Sequence, residues 1–153
     1  MKKNALVFLL ASLMAFGLLL AACDSNGGGG SEAASVAGTT WVANMTRAQL
    51  AQILVDEGDF GSLAEAEAAL AFMQIPETFP LARIVFAATG NTLRIYEYDL
   101  KDGTWEFQGT GTYTQDGNNL TVIEGGETIT TTIVGGNRFD ITEDGITLTF
   151  RRQ

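Results

Sequence analysis

The sequence predicts a mainly β protein, an eight-stranded antiparallel up-and-down barrel with a short helical pair inserted between the first and second strands. Three observations point there. From Leu81 onward, apolar residues recur with a period of two, as in strands that bury one face. The breaks between these runs are Gly, Asn and Asp clusters that suit tight hairpins. Ahead of them, one Trp-bearing strand is followed by two segments of helical spacing. Short strands of this kind bury their edges best by closing on themselves, and the helix pair is placed to cap one open end.

The chain opens on Met1-Lys2-Lys3-Asn4, a basic stretch, followed by an uncharged apolar run from Ala5 to Ala22 and then Leu20-Ala21-Ala22-Cys23-Asp24. Basic, apolar, small-residue is the layout of an export signal. The Leu-Ala-Ala-Cys order resembles the lipobox read by the lipoprotein-processing enzymes of bacteria. That resemblance implies a diacylglyceryl group, palmitate among its acyl chains, on the sulfur of Cys23 and cleavage between Ala22 and Cys23. Two or three acyl chains, each methylene contributing ~0.8 kcal/mol, hold a protein stably on a membrane where one does not. An uncleaved spanning helix and an ordinary signal peptide followed by a free thiol are the competing readings. Both fit less well, because the cysteine falls at the end of the apolar run and polar sequence follows at once. Asp24 directly after the cysteine resembles the inner-membrane retention signal of enteric-type bacteria, and inner against outer membrane stays open.

From Asp24 to Ser35 the chain reads Asp-Ser-Asn-Gly-Gly-Gly-Gly-Ser-Glu-Ala-Ala-Ser, with nothing to bury. It reads as a disordered spacer with an end-to-end distance of roughly 20 Å. The chain thus divides into a signal peptide at 1–22, the lipidated cysteine and its tether at 23–37, and a folded domain at 38–153. Of the 153 residues, roughly 115 remain for folding, enough for one core and not two.

Histidine is absent and there is a single cysteine, which removes His-based triads, Cys/His nucleophile pairs, structural zinc sites and internal disulfides. No cofactor or metal is expected. With Lys2 and Lys3 gone in the leader, 7 cations face 18 acids in the mature chain. Such a chain is expected to repel nucleic acid and anionic lipid surfaces.

Within the domain, Thr39-Thr40-Trp41-Val42-Ala43 has strand composition. Thr46-Arg47-Ala48-Gln49 has capping-box spacing, and Leu50, Ile53 and Leu54 follow at helical intervals until Gly58. Ser62-Leu63-Ala64-Glu65 repeats the signature, with Ala66, Leu70 and Met73 on one face before Pro76. The remaining strands are expected at Ala82–Thr89, Thr92–Asp99, Thr104–Gln115, Asn119–Glu124, Glu127–Val134, Asn137–Thr142 and Ile146–Arg152. In the third of these, Trp105, Phe107, Gly109, Gly111 and Tyr113 alternate with polar residues, so all five are expected on the core face.

Gly38-Thr39-Thr40-Trp41, Gly103-Thr104-Trp105-Glu106-Phe107, Gly111-Thr112-Tyr113-Thr114, Asn118-Asn119-Leu120-Thr121 and Leu148-Thr149-Phe150-Arg151 together resemble the lipocalin-like domain of bacterial envelope lipoproteins. The first strand departs by one residue from the Gly-x-Trp of true lipocalins. The resemblance implies a barrel whose base is closed by Trp41 with an arginine of the last strand, Arg151 or Arg152, lying across it as a cation–π contact.

Three functions compete. The resemblance favours an exported, lipid-anchored envelope protein whose barrel takes a small hydrophobic molecule, with Trp105, Phe107, Gly109, Gly111 and Tyr113 lining the site. The alternative is a structural or interaction lipoprotein with a filled barrel, Tyr96 and Tyr98 being contact residues for a protein partner that the sequence does not identify. An enzyme built on Glu97 and Glu106 is the weakest reading. Both carboxylates are expected on a wet face with no reason for a raised pKa, and the chain is read as a non-enzyme.

Overall fold

A computed structural model describes residues 34–143 and 146–153. The expected lipidation and cleavage positions, Cys23 and Ala22, lie outside the described residues. The chain forms β1 (Thr40–Thr46), α1 (Arg47–Asp56), α2 (Leu63–Phe72), β2 (Thr78–Phe86), β3 (Thr92–Asp99), β4 (Thr104–Asp116), β5 (Asn119–Glu124), β6 (Glu127–Thr132), β7 (Arg138–Glu143) and β8 (Ile146–Arg152). All neighbouring strands are antiparallel, in the order β6-β5-β4-β3-β2-β1-β8-β7. The fold is the expected up-and-down barrel, nearly closed, with the helical pair between β1 and β2.

β1 reaches β8 through the pairs Trp41↔Arg152, Val42↔Arg151 and Ala43↔Phe150, which brings the two ends of the domain together. The remaining seam lies between β6 and β7. There the Thr131 hydroxyl donates to the Asp140 carbonyl at 2.6 Å, and the connecting segment is pinned by Ile133 N–H to the Asn118 carbonyl at 2.7 Å and by a bridge between Val134 and Arg138. A side-chain bond does at this seam what a backbone ladder does elsewhere.

Both helices start as the sequence directs. Thr46 Oγ1 accepts from the Gln49 N–H at 3.1 Å while the Thr46 N–H donates to Gln49 Oε1 at 2.9 Å, a reciprocal capping box. Ser62 Oγ accepts from the Glu65 N–H at 3.3 Å. The pair sits at the end of the barrel where β1 finishes and β2 begins. Leu50, Ala51, Ile53, Ala66 and Leu70 join the barrel's apolar residues in a single buried cluster.

Inside the barrel, Trp41, Phe139 and Phe150 stack in series, with ring centroids 4.8 Å and 5.0 Å apart, and Phe86 meets Tyr113 edge-on at 4.9 Å. Burial of each such ring contributes roughly 1.5–3 kcal/mol.

Packing begins earlier than the tether boundary at residue 37 implies. Val36 is fully buried. Its N–H donates to Gln115 Oε1 at 2.9 Å, and Gln115 Nε2 donates to the Ala34 carbonyl at 3.0 Å. One apolar side chain in an otherwise small and polar stretch, with a glutamine clamping its backbone, accounts for the difference.

Candidate functional site

The side chains with most chemical content lie along the β2-β3-β4 wall, and a bulge arranges them. β3 and β4 pair as Leu93↔Gly111 and Ile95↔Gly109, but the next pair is Tyr96↔Phe107, so Gln108 is an extra residue in β4. An inserted residue reverses which face every later side chain occupies. Tyr113, Gly111 and Gly109 therefore face inward as expected, whereas Trp105 and Phe107 face outward with Tyr98 and Tyr96, their cross-strand partners. Strict alternation from Tyr113 back to Trp105 had placed all five together, and the bulge separates them.

The outward group surrounds Arg83, which pairs with Tyr96 in the β2–β3 ladder. The guanidinium carbon lies 4.4 Å from the Tyr96 ring centroid and 4.6 Å from that of Trp105. Tyr96 and Phe107 meet edge-on at 5.7 Å, and Tyr98 and Trp105 at 5.2 Å. Arg83 Nε is buried with no hydrogen-bond partner, so ring faces hold the cation. Phe107 is 58% exposed, a large apolar ring presented to solvent beside Tyr96.

Glu97 follows Leu93 and Ile95 on the inward face of β3, and the bulge in β4 sets Glu106, which stays exposed, opposite it. Ala82 pairs with Glu97 and Glu97 with Glu106, and Ala82 and Glu97 are both buried. Glu97 is only 5% exposed; Gln108 Nε2 donates to its Oε2 at 3.2 Å, and Oε1 has no partner. Its pKa is pushed up to about 7, first by burial and then by the charges of Glu106 and Asp99. The expectation of a wet, unperturbed Glu97 is thus corrected. The alternation of β3 itself puts Glu97 on the face of Leu93 and Ile95; its acidic character, not its position, suggests a wet site.

The two interior glycines give no empty hollow. A Cβ on Gly109 would come within 2.8 Å of Glu124 Oε1, and one on Gly111 within 2.6 Å of the Ile123 carbonyl oxygen and 3.1 Å of Leu93 Cδ1. Glu124 lies over both positions, its pKa raised by burial and then by Glu127. Beside Gly111, where β5 stops and β4 continues, an open groove of about 410 Å³ runs between β3, β4 and β5, with Leu93, Thr110, Ile123 and Glu124 in its lining.

The barrel-closure pair is also corrected. Trp41 is fully buried, its indole N–H donates to Thr39 Oγ1 at 2.6 Å, and its ring packs on Phe139. Arg151 pairs with Val42, one residue along from Trp41, and so projects from the opposite face of the sheet; Arg151 and Arg152 are both exposed. The aromatic residues of β7 and β8 fill the place expected for the arginine. The Arg83 cluster was missed because its members come from three strands, and only the register shows that Arg83 lies between Tyr96 and Trp105.

Comparison of the chain with protein-family models, with curated proteins and with solved structures returns no match.

Proposed function

We propose that this is an exported, lipid-anchored envelope protein whose filled barrel works through its outer wall, the Arg83, Tyr96, Tyr98, Trp105 and Phe107 face being the contact for a protein partner. The observation that carries this reading is the division of aromatic residues. Trp41, Phe86, Tyr113, Phe139 and Phe150 occupy the interior, and a second group, ordered around a cation, is on the outside. Rings and an arginine held in fixed rotamers lose little freedom on binding, which is why such residues dominate interface energetics. The lipobox-like Leu20-Ala21-Ala22-Cys23 supports the anchor.

The test is crosslinking in cells followed by identification of captured proteins. Tyr96→Ala and Trp105→Ala are each expected to remove the same partner while leaving the protein folded and at the membrane. An unchanged set of captured proteins for both variants removes the contact claim.

A second reading, binding of a small hydrophobic molecule, has one observation in its favour. The groove beside Gly111, about 410 Å³, falls within the ~300–1,000 Å³ of ligand sites. Lipid extraction and mass spectrometry of the purified protein, yielding one apolar molecule per chain, would establish it over the first.

A further inference from the structure

One outer rank of side chains crosses six of the eight strands. Pairing sets Arg138 opposite Arg151, Arg151 opposite Val42, Val42 opposite Arg83, Arg83 opposite Tyr96 and Tyr96 opposite Phe107. Their chain neighbours Phe139, Phe150, Trp41, Ala82 and Ile95 are buried, and side chains alternate between faces, so the rank lies on the outside of the barrel. Arg94, two residues before Tyr96 on β3, shares this face and is exposed.

The charge on this wall is opposite in sign to that of the chain, whose 18 acids outnumber its 9 cations. Among the described side chains, the outward positions of β7, β8, β1, β2 and β3 hold Arg138, Arg151, Arg83 and Arg94 against a single acid, Asp140. Glu97 and Asp99 of β3 alternate with Tyr96 and Tyr98 and so lie on the other face. Asp140 is already committed to Arg138 at 3.7 Å, the one ion pair among the described residues, which leaves Arg83, Arg94 and Arg151 with no carboxylate. Arg83 is held edge-out between the Tyr96 and Trp105 rings. Arg138 and Arg151 face each other as like charges, an arrangement that a sheet disfavours and that an incoming negative group relieves.

We propose that the partner of this wall presents an acidic, extended peptide segment, its carboxylates meeting Arg83, Arg151 and Arg138 and its intervening residues meeting Val42, Tyr96 and Phe107. The proposal rests on the protein contact proposed above and adds the sign of charge and the shape that the contact requires. At ~4.8 Å per strand the rank is roughly 24 Å long, and it follows the curve of a nearly closed barrel. A flat bilayer meets only a few adjacent strands of such a surface, whereas about seven residues of extended chain can follow all of it. The chain's net negative charge does not prevent this, because at physiological salt charges beyond about 8 Å are largely screened and the arginines in contact decide.

The test uses the full chain, purified in a non-ionic detergent, and two fluorescent ten-residue peptides, one of alternating glutamate and serine and one with glutamine in place of glutamate. Binding is followed by anisotropy at physiological salt. The glutamate peptide is expected to bind about tenfold more tightly than the glutamine peptide, and Arg83→Gln/Arg151→Gln is expected to abolish that preference. Lys101→Gln, which removes the same charge from the β3–β4 turn, is expected to preserve it. Arg94→Gln/Arg151→Gln, which alters only exposed side chains, serves if the Arg83 variant fails to fold, with a fall of about fivefold. Equal binding of the two peptides, undiminished preference in a folded arginine variant, or displacement of the glutamate peptide by equimolar dihexanoyl phosphatidylglycerol, a soluble anionic phospholipid, overturns the proposal. Each of these leaves the capture of a partner through Tyr96 and Trp105 in cells to stand or fall by its own test.

Discussion

Glu97 is an acid held in the wall of an apolar barrel with one oxygen bonded to Gln108 and the other to nothing. In the folded protein it keeps its proton up to about pH 7, against an ordinary value of 4.5. Between those values the folded state binds more protons than the unfolded chain, so stability falls as pH rises through this window and levels off above it. Glu97→Gln removes the charge and keeps the shape. It is expected to stabilise the protein by roughly 1–3 kcal/mol at pH 8 and to have no effect at pH 4, read from urea unfolding at both. A loss of stability at pH 8 would contradict the burial argument. At this scale the sequence showed which residues are polar but not where they point. Trp41 was legible as a core residue, and its partner was not, because Phe139 reaches it only through the β1–β8–β7 ladder.

β4 is the element on which sequence reading and structure part. Its Thr104–Thr112 segment pairs with β3 and its Thr112–Asp116 segment with β5, and the Gln108 bulge falls in the first. A bulge bends and twists a strand, as a strand shared by two differently directed neighbours requires. The sequence around Gln108 alternates without interruption, so no local signal marks the extra residue. The helices were legible because caps and periodicity are local, and most strands because their turns are. The glycines of β4 separate two kinds of crowding. Gly111→Ala sets a methyl against the Ile123 carbonyl, which cannot move without the ladder, and is expected to cost about 1–3 kcal/mol. Gly109→Ala meets the end of the Glu124 side chain, which can swing aside, and is expected to cost less than about 1 kcal/mol. Equal losses in urea unfolding would mean that the backbone contact at Gly111 is relieved by some other shift.

For the whole molecule, composition gives the net charge and its sign but not which residues the closed sheet brings together, which depends on strand direction. Arg138, Arg151 and Arg152 are separated in sequence from the entry of the chain at Ala34 by most of the domain, and the barrel's closure brings them to one end. The proposed function joins an anchor upstream of Ala34 to an aromatic wall along the side of the barrel. The anchor is the premise of that proposal. Cells grown with labelled palmitate test it most directly. The wild-type chain is expected to incorporate the label and Cys23→Ser to lose it while accumulating as uncleaved precursor, whereas equal labelling of the two, or none in either, would contradict the account.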